Sequence, residues 1–154
     1  MTADVTIRPA LLAERTALEA LQWRASLVWE EYREALLAHP DAIELPDAQI
    51  HYGRTVVAML KDKIAGFAVV LPREDGDAEL DGLFVEPDLW RHGIGRRLVR
   101  EAEIMALRGG AQYLYVIGNP RAERFYLACS FVQTGAQETR FGPGLMMRKG
   151  LAAD

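Results

Sequence analysis

Apolar and polar positions change period several times along this 154-residue chain, and each change marks an element. Val5–Arg8 alternates as a short strand does, and Pro9 ends it. From about Ala10 to His39 there is no Gly or Pro, and Ala, Leu, Glu and Arg dominate, a helical composition. The stretch is long for one globular helix and Ser26 is suited to cap a second, so two helices are expected with a break near Trp23–Ser26. His39-Pro-Asp stops the second, and Ile43–Arg54, with Pro46 and Gly53, reads as loop with room for a short helix. Three runs rich in Val, Leu, Ile and Phe follow: Thr55–Leu60, Ile64–Leu71 and Ala78–Val85. Polar sequences of hairpin length, Lys61-Asp-Lys63 and Pro72-Arg-Glu-Asp-Gly-Asp77, separate them as strands. Gly82 inside the third marks a bulge or a close approach of backbone. The period then turns helical through Ile94, Leu98, Ala102 and Met105, with Gly109-Gly110 as the stop. Tyr113–Ile117 reads as strand, Gly118-Asn-Pro120 as turn, Ala122–Cys129 as short helix, and Phe131–Thr134 and Leu145–Lys149 as strands. The order βααβββαβαββ predicts a mixed α/β (α+β) fold with helices on both faces of its sheet.

Composition narrows the class. Half of the residues are apolar and 26% charged, as in soluble globular proteins, and the length suits one domain over 1–154. The one cysteine, Cys129, forms no intramolecular disulfide and suits a reducing compartment. The three histidines, His39, His51 and His92, are far apart, so no metal site is expected. No apolar run approaches the roughly 20 residues that span a bilayer. Met1–Arg8 lacks a basic segment followed by an apolar one, and the chain reads as cytoplasmic.

Net charge is −4, which argues against nucleic acid as a partner, but its distribution is uneven. Residues 1–90 sum to −9 and residues 91–154 to +5, with Arg91, Arg96, Arg97 and Arg100 inside one ten-residue stretch. Either these arginines form a solvated, salt-bridged helix face, or their local field draws a specific anionic ligand.

The second reading gains from what precedes them. In Leu83-Phe-Val-Glu-Pro-Asp-Leu-Trp-Arg-His-Gly-Ile-Gly-Arg-Arg-Leu98 a buried strand enters a glycine-containing turn and a helix starts at once. Glycines let the backbone curl so that successive N–H groups point at one spot, and the helix adds unpaired first-turn amides and a positive end. That suits a phosphate or pyrophosphate, with the arginines extending the site. Gly-x-Gly alone is weakly specific: the third glycine of a dinucleotide fingerprint and the Gly-Lys-Ser/Thr of a nucleotide P-loop are absent, which disfavours a nucleotide-binding domain.

Val85-Glu-Pro, the Gly93-Ile-Gly95 turn and Asn119-Pro-Arg-Ala-Glu-Arg-Phe-Tyr-Leu-Ala-Cys-Ser-Phe131 together resemble the GCN5-related N-acetyltransferase (GNAT) superfamily. The first block is similar to its acetyl-CoA pyrophosphate loop, the second to its Asn-x-x-Ala-x-x-Phe-Tyr-x-x-x-Gly-Phe segment. The motifs cover roughly residues 55–135, and the element order covers the whole chain. Trp90 stands where the loop usually has Gln or Arg, and Ser130 replaces the glycine before Phe131.

The resemblance implies a mostly antiparallel, mixed central sheet of about six or seven strands. It implies an N-acetyltransferase that moves acetyl from acetyl-CoA (coenzyme A as product) to a primary amine by direct attack in a ternary complex. The acceptor would be a small molecule or a protein or peptide amine, and a homodimer through the sheet edge or C-terminal strands is an analogy with the family. Leu83, Phe84, Val85, Arg91, His92, Gly93, Ile94, Gly95, Arg96, Asn119, Ala122 and Phe125 fall on its cofactor-binding positions. An attacking amine must lose a proton and a leaving thiolate must gain one. Tyr126 sits at the family's tyrosine and would be general acid; its plain alternative is a core aromatic. Glu79, or next Asp81, would be the base, and alternation places both on one strand face, toward a cleft or toward solvent. A main-chain N–H near Val85 would serve the oxyanion. Asn119 would hold the pantetheine arm or simply the turn. Cys129 reads as core, not nucleophile. The acidic run Glu30, Glu31, Glu34, Asp41, Glu44 and Asp47 reads as a solvated face before an amine-attracting one, and Trp23, Trp29 and Tyr32 as core or pocket wall. The competing class is a coenzyme A-binding module without catalysis.

Overall fold

A computed structural model describes residues 4–139 and 142–151. Among the described residues are seven strands: β1 Val5–Pro9, β2 Thr55–Leu60, β3 Lys63–Pro72, β4 Ala78–Val85, β5 Tyr113–Gly118, β6 Val132–Thr139 and β7 Gly142–Gly150. Five α-helices accompany them: α1 Arg15–Leu27, α2 Glu30–Ala38, α3 Asp47–His51, α4 Ile94–Arg108 and α5 Glu123–Ala128. The sheet order is β1-β2-β3-β4-β5-β7-β6. Its β1–β2, β2–β3, β5–β7 and β6–β7 pairs are antiparallel, and β4–β5 is parallel. The mixed, mostly antiparallel sheet matches the sequence expectation. No helix among the described residues is long and apolar enough to cross a membrane.

The chain divides into two compact units, residues 1–69 with 82–98 and residues 70–81 with 99–154. The first unit holds α1 to α3, β1, β2, most of β3 and the end of β4. Val56, Val57 and Ala58 on β2 and Ala65, Phe67, Ala68 and Val69 on β3 are buried with Leu18 and Leu21 of α1. The β2–β3 hairpin turns through Lys61 and Asp62, both in left-handed backbone. The helix break falls at Val28–Trp29, later than the sequence suggests. Ser26 caps nothing: it is a buried residue of α1, and Trp29 is the extended residue that starts α2.

The second unit holds β5, β6, β7, α5 and the larger part of α4. Val99, Ala102 and Ala106 are buried along its part of α4, which closes through Gly110 (φ +88°) with Gly110 N bonded to Leu107 O at 3.0 Å and Ala111 N to Ala106 O at 3.0 Å. These are the two bonds of a Schellman end. Alternation sets the faces of β4 and β5: Ala78, Leu80, Leu114 and Val116 are buried while Glu79, Tyr113 and Tyr115 are half-buried. β6 and β7 run longer than expected because ladder pairing, not an apolar period, extends them.

Candidate functional site

The candidate residues fall into two groups, one in each unit. In the first, β4 ends as Leu83-Phe84-Val85, with Phe84 tilted against Phe67 at 5.3 Å. Two glycines make room there. A Cβ on Gly66 would lie 2.7 Å from Phe84 O and 3.3 Å from Val85 Cα, and one on Gly82 would lie 3.0 Å from the Phe84 ring. At Gly82 the close neighbour is thus the Phe84 side chain, not the backbone approach expected from the sequence. Glu86 follows; its amide donates to Ala65 O at 2.8 Å, and its carboxylate takes Arg24 Nε at 3.0 Å and Nη2 at 2.7 Å. After a 3-10 turn at Pro87–Leu89, Trp90 donates its indole N–H to Val85 O at 2.8 Å and stacks on Trp29 at 5.4 Å. Trp90 therefore ties the turn to the strand end and to the start of α2, a job the sequence did not disclose.

Arg91 (φ +69°) and Gly93 (φ +83°) carry the left-handed curl, and Ile94 opens α4. The first helical bond of α4 runs from Arg97 N to Gly93 O at 3.1 Å, so the amides of Ile94, Gly95 and Arg96 precede the i→i−4 ladder at its positive end. Gly95 is helical, not curled, so backbone freedom is not what a glycine supplies there. Ile94 is buried in the core at 1% exposure, so its place in the loop is structural. His92 Nδ1 lies 3.1 Å from Leu89 O and 2.9 Å from Trp90 O. Both are acceptors, so Nδ1 is the donor that holds the ring to the turn. Arg91, Arg96 and Arg100 are exposed, whereas Arg97 is spent on Val5 O at 3.1 Å and does not extend the anion site.

In the second unit, Glu79 and Asp81 share one face of β4. Burial raises the Glu79 carboxyl above its ordinary range, the negative charge of Asp81 adds to this, and Arg73 opposes it. Asp81 is raised by desolvation and lowered by its hydrogen bond with Glu79. Asn119 Oδ1 accepts Arg121 N at 2.9 Å and caps the 3-10 turn Pro120–Ala122, while its Nδ2 is buried without a hydrogen-bond partner among the described residues. Ala122 starts α5 and Phe125 is half-buried on it. Tyr126 is 7% exposed, edge-on to Phe125 at 5.1 Å and Phe131 at 5.5 Å; a Cβ on Gly118 would come within 2.9 Å of its ring. Cys129 is buried, as expected of a core thiol. Ser130 takes φ +74° at the exit of α5, with Ser130 N on Leu127 O at 2.9 Å and Phe131 N on Tyr126 O at 3.0 Å.

Sequence reasoning missed a cluster on the Glu79 face. Glu79 pairs in register with Tyr115, and Tyr115 with Arg148. Arg73 lies 3.9 Å over the Tyr115 ring, Arg148 lies 4.2 Å over the Tyr113 ring, and Arg148 Nη1 donates to Tyr115 Oη at 3.3 Å. The alternation of Tyr113 and Tyr115 was the available signal; cross-strand register was needed to find the arginines.

The profile of the acetyltransferase (GNAT) family matches residues 18–131. No curated protein is significantly similar in sequence. Among solved structures, a GCN5-related N-acetyltransferase from Rhodopseudomonas palustris superposes with TM-score 0.76 at 24% identity, covering 95% of each chain. PaiA N-acetyltransferase from Thermoplasma acidophilum, solved with coenzyme A, gives 0.77 at 20% identity over 95% of this chain and 98% of its own. The ribosomal-protein-S18-alanine N-acetyltransferase of Escherichia coli gives 0.69 at 19% identity over 97% and 96%.

Proposed function

Because the chain belongs to the acetyltransferase (GNAT) family, we propose that it transfers acetyl from acetyl-CoA to a primary amine by direct attack in a ternary complex. The observation that carries the cofactor reading is the strand, left-handed turn and helix start at Val85–Arg96, whose first-turn amides suit a diphosphate. The coenzyme A seen in the Thermoplasma relative supports it. The buried, unpartnered Nδ2 of Asn119 supports it independently, since an amide donor in that state suits a carbonyl such as those of a pantetheine arm. Leu83, Phe84 and Val85 line the strand end, the amides of Gly93, Gly95 and Arg96 hold phosphate, Arg91 and Arg96 add charge and hydrogen bonds, and His92 stands beside them in the turn. Ala122 and Phe125 contribute apolar surface.

Acetyl-CoA, when bound, supplies the acetyl group as a thioester. Glu79 accepts the proton the amine must lose, its raised pKa bringing a carboxylate closer to that task, with Asp81 the alternative base. A main-chain N–H near Val85 faces developing negative charge on oxygen. Tyr126 holds a proton for the departing sulfur. Thiol release with acetyl-CoA and a panel of amines tests the reaction. Tyr126→Phe is expected to lower kcat about 100-fold or more while acetyl-CoA affinity stays nearly unchanged. Background release throughout, with coenzyme A still bound, would favour the non-catalytic binding module. Calorimetric titration of Gly93→Val and Gly95→Val should show coenzyme A binding lost, the first through a strained left-handed backbone and the second through an obstructing side chain. Unchanged affinity in both would overturn the loop assignment.

A further inference from the structure

The face of β4, β5 and β7 in the second unit is electrically two-ended, and the proposed amine transfer leaves one end unused. At one end stand Glu79 and Asp81, two residues apart on β4 and therefore on one side of the strand. At the other stands Arg148, two strands away in the same register row, with Tyr115 between. The Arg148 guanidinium is fixed from two sides, stacked at 4.2 Å over Tyr113 and bonded at 3.3 Å to Tyr115 Oη. No carboxylate among the described residues lies within ion-pair distance of it, the Asp77 charge acting on it only from farther off, whereas Arg73 on the same face is engaged by Asp75 at 3.1 Å. A stacked guanidinium has lost its rotational freedom before a ligand arrives, and its remaining N–H groups form a planar fork that matches a carboxylate. Neighbouring strands lie roughly 4.8 Å apart, so the two ends are separated by about 10 Å at the backbone, a gap that long side chains narrow.

Resting on the reading of Glu79 as the group that receives the amine, we propose that the acceptor is an amine that also carries a carboxylate, its nitrogen directed to Glu79 and Asp81 and its carboxylate held by Arg148. Tyr115 and Tyr113 act as positioning residues that orient Arg148.

The test compares ω-amino acids of increasing chain length with their primary amides, which keep the amine and remove the negative charge. Direct binding to the wild-type protein is measured by calorimetry, and thiol release with acetyl-CoA by kcat/KM. At the best chain length the acid is expected to bind at least ten-fold more tightly than its amide and to show the same preference in kcat/KM. In Arg148→Gln the ratio should fall to within two-fold of one. In Arg148→Lys, which keeps charge but loses the fork, it should be intermediate, and this variant serves if the glutamine variant fails to fold. Wild-type protein that binds every acid no better than its amide overturns the proposal, whether or not the amides are acetylated. A ratio undiminished in both variants overturns the role of Arg148. Coenzyme A titration separates the two readings, because loss of cofactor binding would sink the acetyltransferase assignment while acid-over-amide discrimination still decides this one.

Discussion

Ser130 holds a left-handed backbone (φ +74°) that costs a side-chain-bearing residue roughly 1–2 kcal/mol relative to glycine. Its hydrogen bonds close α5 in the Schellman pattern, so the geometry is imposed by the helix end and not by the serine. Ser130→Gly is expected to raise stability by about 1 kcal/mol in urea denaturation, part of the strain relief being offset by glycine's looser unfolded chain. The carboxyl pair works in the opposite direction. Glu79 and Asp81 are raised above their ordinary values, so the folded chain retains protons that the unfolded chain has released. Their contribution to stability is therefore least unfavourable below the ordinary carboxyl range and worsens as pH rises through the folded values. The same shift places the acidic limb of the kcat/KM profile above pH 4.3, the unperturbed value of about 4.3 for glutamate. Asp81→Asn removes a like charge from Glu79 and should move that limb to lower pH; an unmoved limb would assign the base elsewhere.

Among the elements, Trp90 shows how a departure from the family pattern is absorbed. Its indole N–H takes the Val85 carbonyl, and its ring packs on Trp29 at the start of α2. Trp90→Phe keeps the stack and loses the bond; about 1 kcal/mol of stability should go with it, and coenzyme A affinity should weaken, both readable by urea denaturation and calorimetry. The same contact explains what local pattern could not supply. A serine suited to capping drew the helix break to Trp23–Ser26, but the break lies where Trp29 meets a tryptophan sixty-one positions away in sequence, and no period encodes that. The strands β2 and β3 were legible as continuous apolar runs buried on both sides, and β4, β5 and the core face of α4 because each buries one periodic side. β6 was legible only at its start, within the expected Phe131–Thr134 strand, since its eight residues are mostly exposed and the rest is held by pairing with β7. The glycine turn was legible as a motif, yet which residue is curled was not: Arg91 shares that role with Gly93, and Gly95 does not. Tyr126 was placed correctly on its helix, and its deep packing against Gly118 and Phe131 became visible only in three dimensions.

For the molecule as a whole, charge was readable from the start: −9 before residue 91 and +5 from there on. The structure adds that Arg91, Arg96 and Arg100 are exposed, while Arg97 is turned to Val5 O. Coenzyme A affinity should consequently fall severalfold between about 50 and 500 mM KCl, as exposed charges are screened over a shrinking Debye length. A flat salt response would place the diphosphate contact on main-chain amides alone. Each compact unit is assembled from two separate stretches, which bears on how the chain is made. The first unit has all its parts once residue 98 has left the ribosome, but the second waits for β7, which ends at Gly150. At translation rates of about 5–20 residues per second that delay lasts on the order of 3–10 s. For the first part of it, until β5 has been completed at Gly118 roughly 1–4 s after Leu98, the nascent chain displays Ala78–Leu80 without its β5 neighbour, a naked strand margin open to chaperones or to the same segment on an adjacent nascent copy.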